Sequence, residues 1–388
     1  MLTYQHLLII DFLIIYLGNI AMKIGIYIED LPHIDCSTPY LGNMGVGGTQ
    51  FCMLSLIYYL QTVENMSVNV YCKSDTILPW HIKPFVVNNG CEALNFSIHN
   101  EDELIIIKNP SADSNLYKAI APNKSKIVIW CHNYILADYA DYLSRCTSVK
   151  SVVFVGKQLY DRYIDHDIIN KSVYIYNIVP DPISVVQRKL KKYVVYVGGL
   201  YYTKGFHILA TIWKDILKKV PDAELIVLGS GNLYSRKVKL GKYNIASKEY
   251  EQKFIPYLLD KNGKILSSVH FLGIVGQEKY KIFENASVGV VNPSGRTETF
   301  GMGIVEMNSA SLPVVTINRN GYPDTVKNGV NGYLCNSIKG IRNQIVYLLE
   351  HPKENLKLGN NGKKMTARYA PDNILPQWLQ LFKEVIQN

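Results

Sequence analysis

The stretch of sequence that decides the fold of this chain is Val288-Gly-Val-Val-Asn-Pro-Ser-Gly-Arg-Thr-Glu-Thr-Phe-Gly-Met-Gly-Ile-Val-Glu306. It opens with an apolar run, which is typical of a strand covered on both faces in a parallel sheet. Glycines and polar residues follow, and the apolar spacing after them predicts a helix over 302–310. A strand, a glycine-rich loop and a helix in this order indicate one βα unit of an α/β fold.

The same alternation continues along the chain in two series. The first predicts strands at 23–28, 68–72, 104–107, 126–130, 151–155 and 173–176, with helices at 48–61 and 134–144. The second begins after Pro180-Asp-Pro182. It predicts strands at 193–197, 224–228, 269–271, 288–291 and 314–316, with helices at 204–219, 248–260, 302–310 and 338–350. Two such series joined by a proline-containing hinge predict two doubly wound domains facing each other across a cleft.

We therefore predict Rossmann-like domains over 22–187 and 188–370, and a helix over 371–388 that crosses back to the first domain. Residues 1–21 are interpreted as an upstream extension. Their apolar part is interrupted by Asp11 and is shorter than the roughly 20 residues of a membrane span. No Lys or Arg precedes it, as a signal peptide would require. A peripheral membrane-associating helix is the alternative.

The composition, 48% hydrophobic and 19% charged, is that of a globular protein rather than a disordered or fibrous one. Lys and Arg exceed Asp and Glu by 41 − 32 = 9, and they cluster at 188–192 and 236–253. These runs are either solvated faces or surfaces that attract an anionic lipid or a polyanionic substrate. Because aromatic residues are not interleaved among them, they do not predict nucleic-acid binding.

The seven cysteines are scattered and include no Cys-x-x-Cys pair. This spacing predicts neither a zinc ribbon nor a redox motif. Several cysteines lie in apolar runs, where a thiol packs as a small hydrophobic group. We therefore predict a reducing, cytoplasmic compartment, with the inner face of the membrane as a narrower option.

Two carboxylates flank the glycine-rich part of the opening stretch. Glu298 falls in the predicted loop and Glu306 in the helix, with Gly301 and Gly303 between them. Glycines let a ligand approach the backbone, and the free N–H groups at a helix start favour a phosphate or diphosphate. Ionised carboxylates accept hydrogen bonds from sugar hydroxyls well. The alternative is a capped surface helix with two solvated acids.

This segment resembles glycosyltransferase family 4 of the GT-B fold, whose Glu-x7-Glu signature Glu298 and Glu306 match. The likeness continues through Leu312-Pro-Val-Val315, Asn320-Gly-Tyr-Pro-Asp324 and Asn328-Gly-Val-Asn-Gly-Tyr-Leu334. The resemblance implies a retaining, metal-independent glycosyltransferase with an N-terminal acceptor domain and a C-terminal nucleotide-sugar domain. It implies that Glu306 holds the ribose hydroxyls and that Glu298 faces the donor sugar. The backbone amides implied to face the sugar and diphosphate are those around Thr299, Phe300 and Gly301.

A second segment, Val195-Tyr-Val-Gly-Gly-Leu-Tyr-Tyr-Thr-Lys-Gly-Phe206, has the pattern of a strand, a glycine turn and a helix opening near Lys204. A lysine there would stabilise negative charge on a departing diphosphate. The family has Lys-Gly here and often an arginine shortly before it, where this chain has Gly199. We predict that Lys204 binds the diphosphate and hypothesise that Arg296 replaces the missing arginine. A water-mediated or weaker diphosphate site is the alternative.

The segment Met44-Gly-Val-Gly-Gly-Thr-Gln50 precedes a predicted helix, and successive glycine amides can form an anion-binding nest. The long loop between it and the first strand argues against a dinucleotide fingerprint. The resemblance places Gly47 and Gly48 against the donor diphosphate and the acceptor.

His132 follows the apolar run Ile127-Val-Ile-Trp-Cys131, at the carboxyl end of a predicted strand. Ligands of open α/β sheets bind beyond such strand ends. A single histidine is more often structural, but the family frequently has an active-site histidine at this position. We therefore predict that His132 and Glu298 are the catalytic residues.

The predicted activity is transfer of a sugar from a UDP- or GDP-linked donor to a glycan or lipid-linked acceptor in polysaccharide or glycoconjugate synthesis. No cofactor and no metal are predicted, and peripheral membrane contact is an option. One alternative is a nucleotide-sugar epimerase, which would need further acid/base residues in the cleft. Another is a non-catalytic sugar-nucleotide-binding protein, for which Gly199 is the best support.

Overall fold

The computed structural model describes residues 21–29, 31–111, 114–181, 188–233 and 238–387. Its strands are β1 Met22–Ile28, β2 Met66–Cys72, β3 Phe85–Val86, β4 Leu104–Lys108, β5 Ile127–Cys131, β6 Val149–Phe154, β7 Ser172–Tyr174, β8 Tyr193–Val197, β9 Glu224–Leu228, β10 Val269–Gly273, β11 Val288–Val291, β12 Val314–Ile317 and β13 Gly332–Cys335. Its α-helices are α1 Gly48–Leu60, α2 Gly90–His99, α3 Asn115–Ile120, α4 Ala137–Arg145, α5 Lys157–Tyr160, α6 Phe206–Leu217, α7 Lys248–Phe254, α8 Lys279–Asn285, α9 Met302–Ser309, α10 Tyr322–Thr325, α11 Ile338–Glu350, α12 Pro352–Thr366 and α13 Pro371–Gln387. Residues 1–20 of the predicted extension and 182–187 of the predicted hinge lie outside the described residues.

These elements form two compact units. Within the described residues, the first unit comprises 21–40, 48–180 and 368–387, and the second comprises 41–47 and 181–367. The first sheet has the order β3-β2-β1-β4-β5-β6-β7 and the second β10-β9-β8-β11-β12-β13. All strand pairs in both sheets are parallel. The predicted fold class, two Rossmann-like α/β domains, is therefore confirmed.

The strands that the sequence predicts best are those buried on both faces. All residues of β5 and of β11 are buried, because helices cover a parallel sheet on each side. In the second sheet the strand order reverses direction between β8 and β11. The loops after these two strands therefore flank the crevice in which such sheets bind ligands.

The structure corrects several element predictions. Strands β3 and β13 lie at sheet edges and are short, so they lack the apolar run that identifies a buried strand. The sequence predicted none of helices α2, α3, α5, α8, α10 and α12. The signal for α2 was Asn89, whose side chain caps its first turn. The predicted helix at 204–219 begins later, at Phe206, because Gly205 adopts a left-handed φ of 68° between a 3₁₀ turn and α6.

Helix α13 packs within the first unit. Trp378 is fully buried and its ring contacts that of Trp130 on β5 edge to face, with centroids 4.8 Å apart. The ammonium of Lys126 donates to the carbonyls of Val385 and Ile386 at 3.1 and 2.6 Å, near the negative end of the helix dipole. Among the described residues, none of the helices combines the length and the apolar character needed to cross a membrane.

Arg188 begins the basic run 188–192, which was interpreted as a solvated face or as a surface that attracts anions. The side chain of Arg188 fits neither interpretation. Its partly buried guanidinium donates to the backbone carbonyls of Ser311 and Ala286. Burial lowers the pKa of Arg188 to about 10. This arginine joins elements of the second unit, whereas Lys191 and Lys192 are exposed as a solvated face requires.

We predict that Trp378→Ala lowers the free energy of unfolding of the first unit by about 3–5 kcal/mol, because it removes a buried indole and leaves a cavity beside Trp130. Urea denaturation followed by far-UV circular dichroism measures the change. Gln380→Ala, on the exposed side of α13, is the control and should shift it by less than about 0.5 kcal/mol. Equal effects of the two substitutions would contradict a packing role for α13.

Candidate active site

The candidate site in the second unit is built on the loop that joins β11 to α9. Four of its residues have a positive φ: 31° at Asn292, 62° at Gly295, 58° at Thr297 and 89° at Gly301. This backbone region is unfavourable for a β-branched residue such as Thr297. Strain of this kind persists where surrounding contacts impose it, and it is concentrated at functional sites.

Two donors to one carboxylate oxygen help to hold Glu298 in this loop. Nδ2 of Asn292 donates to Oε2 of Glu298 at 2.9 Å, and Nζ of Lys204 donates to the same oxygen at 3.1 Å. The side chains of Lys204 and Glu298 are 19% and 16% exposed, so the ion pair is largely withdrawn from water. The structure thus brings together two predicted site residues from the loops after β8 and β11.

Tyr322 joins the loop to the end of β11. Its fully buried hydroxyl lies 3.0 and 3.1 Å from the carbonyl oxygens of Val291 and Asn292, to which it donates. Burial, and secondly the charge of Glu298, raises the pKa of Tyr322 well above its usual value. The phenol therefore stays protonated and remains a donor. Gly301 packs against the ring, where a Cβ would lie 3.0 Å from it.

Glu306 in α9 is buried together with a cation. Nζ of Lys279 donates to Oε1 of Glu306 at 2.7 Å, and the hydroxyl of Tyr280 donates to the same oxygen at 3.2 Å. The side chains of Lys279 and Glu306 are only 5% and 3% exposed. Within the described part of the chain, no group donates to Oε2. That oxygen has the property needed to accept a ligand hydroxyl.

The glycine-rich segment before α1 has some of its amides occupied. Oδ1 of Asn43 accepts from the backbone N–H groups of Gly45 and Val46, each at 2.9 Å. Those two amides therefore bind Asn43 rather than a ligand. Gly48 is the first residue of α1, and a Cβ there would meet no atom within 4 Å. The role predicted for Gly47 and Gly48 stays a prediction.

His132 directly follows β5 in the first unit, as predicted, and it is buried. Its backbone N–H donates to Oδ1 of Asn109 at 3.2 Å, and its ring contacts that of Trp130. Burial, assisted by the charge of Lys108, lowers the pKa of His132 to about 3. The imidazole is therefore neutral at physiological pH, with one nitrogen that can donate a hydrogen bond and one that can accept.

Arg296 is exposed, and its guanidinium lies over the ring of Tyr202, 5.4 Å from the centroid. The pKa of His207 is lowered mainly by burial and secondly by the positive charge of Arg296. Thr299 and Phe300, whose amides were predicted to face the donor, are buried side chains just before α9.

Four residues that contact the two glutamates or their loop were not predicted from the sequence: Asn292, Tyr322, Lys279 and Tyr280. Asn292 and Tyr322 lie in stretches that the family resemblance covers, and an asparagine directly after a buried strand was a usable signal. Lys279 and Tyr280 begin helix α8, which was not predicted. The apolar residues at 280 and 283 are the spacing that could have indicated this helix.

Comparison with known proteins finds glycosyltransferases. Residues 182–365 match the family model described as glycosyl transferases group 1. The chain is 27% identical over 190 residues to an uncharacterized glycosyltransferase of Haemophilus influenzae, covering 48% of each protein. It is 28% identical over 188 residues to the capsular polysaccharide biosynthesis glycosyltransferase CapM of Staphylococcus aureus, covering 48% of this chain and 43% of CapM. The chain thus spans about half the length of these relatives.

Among solved structures, Anabaena HepE in complex with UDP and glucose is similar over 94% of this chain and 100% of its own. The TM-score is 0.68 and the sequence identity 17%. A likeness at this identity shows the fold, and it confirms the GT-B prediction for the two α/β domains.

We predict that His132 makes stability depend on pH. Its pKa is about 3 in the folded protein against 6.5 ordinarily, so the unfolded chain binds more protons between these values. Stability is therefore full above about pH 6.5 and is lost as the pH falls below it. Between pH 7 and pH 5, urea denaturation should show about 2 kcal/mol more loss in the wild type than in His132→Gln. His99→Gln, at an exposed histidine, is the control and should behave as the wild type.

Proposed function

We propose that this protein is a retaining glycosyltransferase that transfers a sugar from a UDP- or GDP-linked donor to a glycan or lipid-linked acceptor in polysaccharide or glycoconjugate synthesis. The observation that carries the proposal is a βα unit bearing two carboxylates, each paired with a lysine: Glu298 with Lys204, and Glu306 with Lys279. The match to group 1 glycosyl transferases and the role of CapM in capsular polysaccharide biosynthesis support the same class.

In this proposal Glu306 binds the nucleotide. Its Oε2 accepts hydrogen bonds from the ribose hydroxyls, which is favourable because hydrogen bonds to a charged acceptor are about twice as strong as neutral ones. The complex of HepE with UDP makes a uridine nucleotide the first donor to test.

Lys204 and backbone amides would bind the diphosphate. The amides around Thr299, Phe300 and Gly301 lie at the start of α9, where the helix dipole favours negative charge. Arg296 would supply a second cation in place of the arginine missing at Gly199. Gly47 and Gly48 would add amides from the segment before α1.

The transfer step would break the bond between the sugar C1 and the diphosphate oxygen while the acceptor oxygen bonds to C1 on the same face. The acceptor proton passes to an oxygen of the departing phosphate. Glu298 hydrogen-bonds the donor sugar, and the catalytic role of His132 in this proposal rests on the family resemblance. Lys204 stabilises the charge that develops on the leaving group. The reaction would use no metal and no cofactor, and a lipid-linked acceptor would bring this cytoplasmic enzyme to the inner face of the membrane.

The test is incubation of the full chain with a panel of UDP- and GDP-sugars, with and without glycan and lipid-linked acceptors. Release of nucleoside diphosphate that is accelerated by acceptor, with retained configuration at C1 in the product by NMR, is the expected result. Binding without turnover would show a non-catalytic protein. Inversion at C2 of the donor would show an epimerase.

We predict that Lys204→Met lowers turnover by about 10²–10³-fold, because a cation aimed at developing charge acts mainly in the transition state. Steady-state kinetics with the donor found in the panel measures the effect. Lys192→Met breaks the exposed pair with Asp222 and is the matched control, with unchanged kinetics. Turnover of Lys204→Met within about threefold of the wild type would exclude this role.

We predict that Arg296→Ala lowers kcat/KM for the donor by roughly tenfold or more, the effect of losing one charge-assisted hydrogen bond. Arg342→Ala, at an arginine paired with Asp215, is the control. If the donor KM and the turnover are both unchanged, Arg296 does not replace the family arginine, and the diphosphate is bound by Lys204 and backbone amides alone.

A further inference from the structure

Two donors converge on a single oxygen of a buried carboxylate. Lys279 and Tyr280 are neighbours at the start of α8, and both donate to Oε1 of Glu306. Burial, followed by the charge of Glu306, raises the pKa of Tyr280 well above its usual value. The phenol is therefore a permanent donor, and the carboxylate is held from one side by a charge and a hydroxyl.

This arrangement has a directional consequence. A carboxylate held at one oxygen cannot rotate freely about its last bond, so the direction of its second oxygen is fixed before a ligand arrives. Pre-organisation of this kind strengthens binding because less conformational freedom is lost on association. Lys279 also supplies the countercharge without which a buried Glu306 would be unfavourable.

The same phenol contacts the segment 41–47. The backbone N–H of Asn43 hydrogen-bonds the phenol oxygen, and Nε2 of Gln277 donates to the carbonyl of Gly42 at 3.2 Å. Gly42 has a φ of 95°, and a Cβ there would lie 2.3 Å from the Tyr280 hydroxyl. Only glycine allows this approach, so Tyr280 is fixed by the glycine-rich segment as well as by Glu306.

We propose that Lys279 and Tyr280 are positioning residues that hold Oε1 of Glu306 so that Oε2 is directed at a ribose hydroxyl of the donor nucleotide. The proposal rests on the proposed function, in which Glu306 binds the ribose. Because both residues act through Glu306, which is assigned to the ribose, they would affect nucleotide binding rather than the chemical step.

The test compares ribose discrimination in the wild type, Tyr280→Phe and Lys279→Met. Isothermal titration calorimetry gives the dissociation constants of UDP and of 2′,3′-dideoxy-UDP, or of the guanosine pair if the panel selects it. The wild type should bind UDP tenfold or more tightly than the dideoxy form, roughly the effect of one charge-assisted hydrogen bond. In each variant the preference should fall below about threefold, while affinity for the dideoxy form stays within about threefold of the wild type.

Tyr250→Phe is the matched control. It also removes a buried tyrosine hydroxyl, one that accepts from the backbone N–H of His207 at 3.2 Å, and it should keep the wild-type preference. Tyr280→Phe leaves the charge of Lys279 beside Glu306, so this variant should still fold. It tests the positioning role if Lys279→Met does not fold. A second readout is kinetic: the donor KM should rise in Tyr280→Phe while kcat stays within about threefold.

The outcomes are distinguishable. If the wild type discriminates and both variants discriminate equally well, the positioning role is overturned while the ribose role of Glu306 stands. If the wild type itself does not discriminate, Glu306 does not bind the ribose and the positioning role falls with it. The sugar-transfer activity is then still decided independently by the donor panel.

Discussion

The candidate site depends on the sharp turn of the backbone between β11 and α9. A left-handed residue at Thr297 is unfavourable by itself, and the turn persists because Tyr322 donates to the strand end and Asn292 bridges to Glu298. A Cβ at Gly321 would lie 2.2 Å from the carbonyl of Thr299, so the next loop can pack here only through a glycine. The conformation that presents Glu298 is thus imposed by neighbouring elements.

Two lysine–glutamate pairs lie on this framework, and they differ in burial. The pair of Lys204 and Glu298 keeps nearly a fifth of each side chain exposed, whereas that of Lys279 and Glu306 is almost completely enclosed. Buried ion pairs seldom add net stability, because desolvation offsets most of the attraction. A role in ligand binding, as proposed above for both glutamates, would account for two such pairs on one βα unit without any gain in stability.

The local parts of this site could be predicted from the sequence. The strand at 288–291 and the loop position of Glu298 follow from an apolar run, glycines and helical spacing. The chemistry of sugar and diphosphate binding follows from carboxylates beside exposed amides. The start of α9 could also be predicted, because Gly301 and Gly303 mark where the backbone changes direction. Edge strands such as β13 could not be predicted, since a strand at the edge of a sheet carries little of the apolar pattern.

What the sequence by itself determined is the class of fold and the identity of the two carboxylates, because both are encoded in residues close together along the chain. Only the tertiary structure decided which cations pair with them. Lys204 is 94 residues from Glu298, and Lys279 is 27 residues from Glu306. The Lys-Gly motif marked Lys204 as a site residue but not its pairing with Glu298, and nothing in the sequence around Lys279 distinguished it from the solvated lysines. The contact between the start of α8 and the segment 41–47 likewise joins residues far apart in the chain, since Gln277 and Gly42 are 235 residues apart, and no local sequence pattern encodes a pairing over that separation.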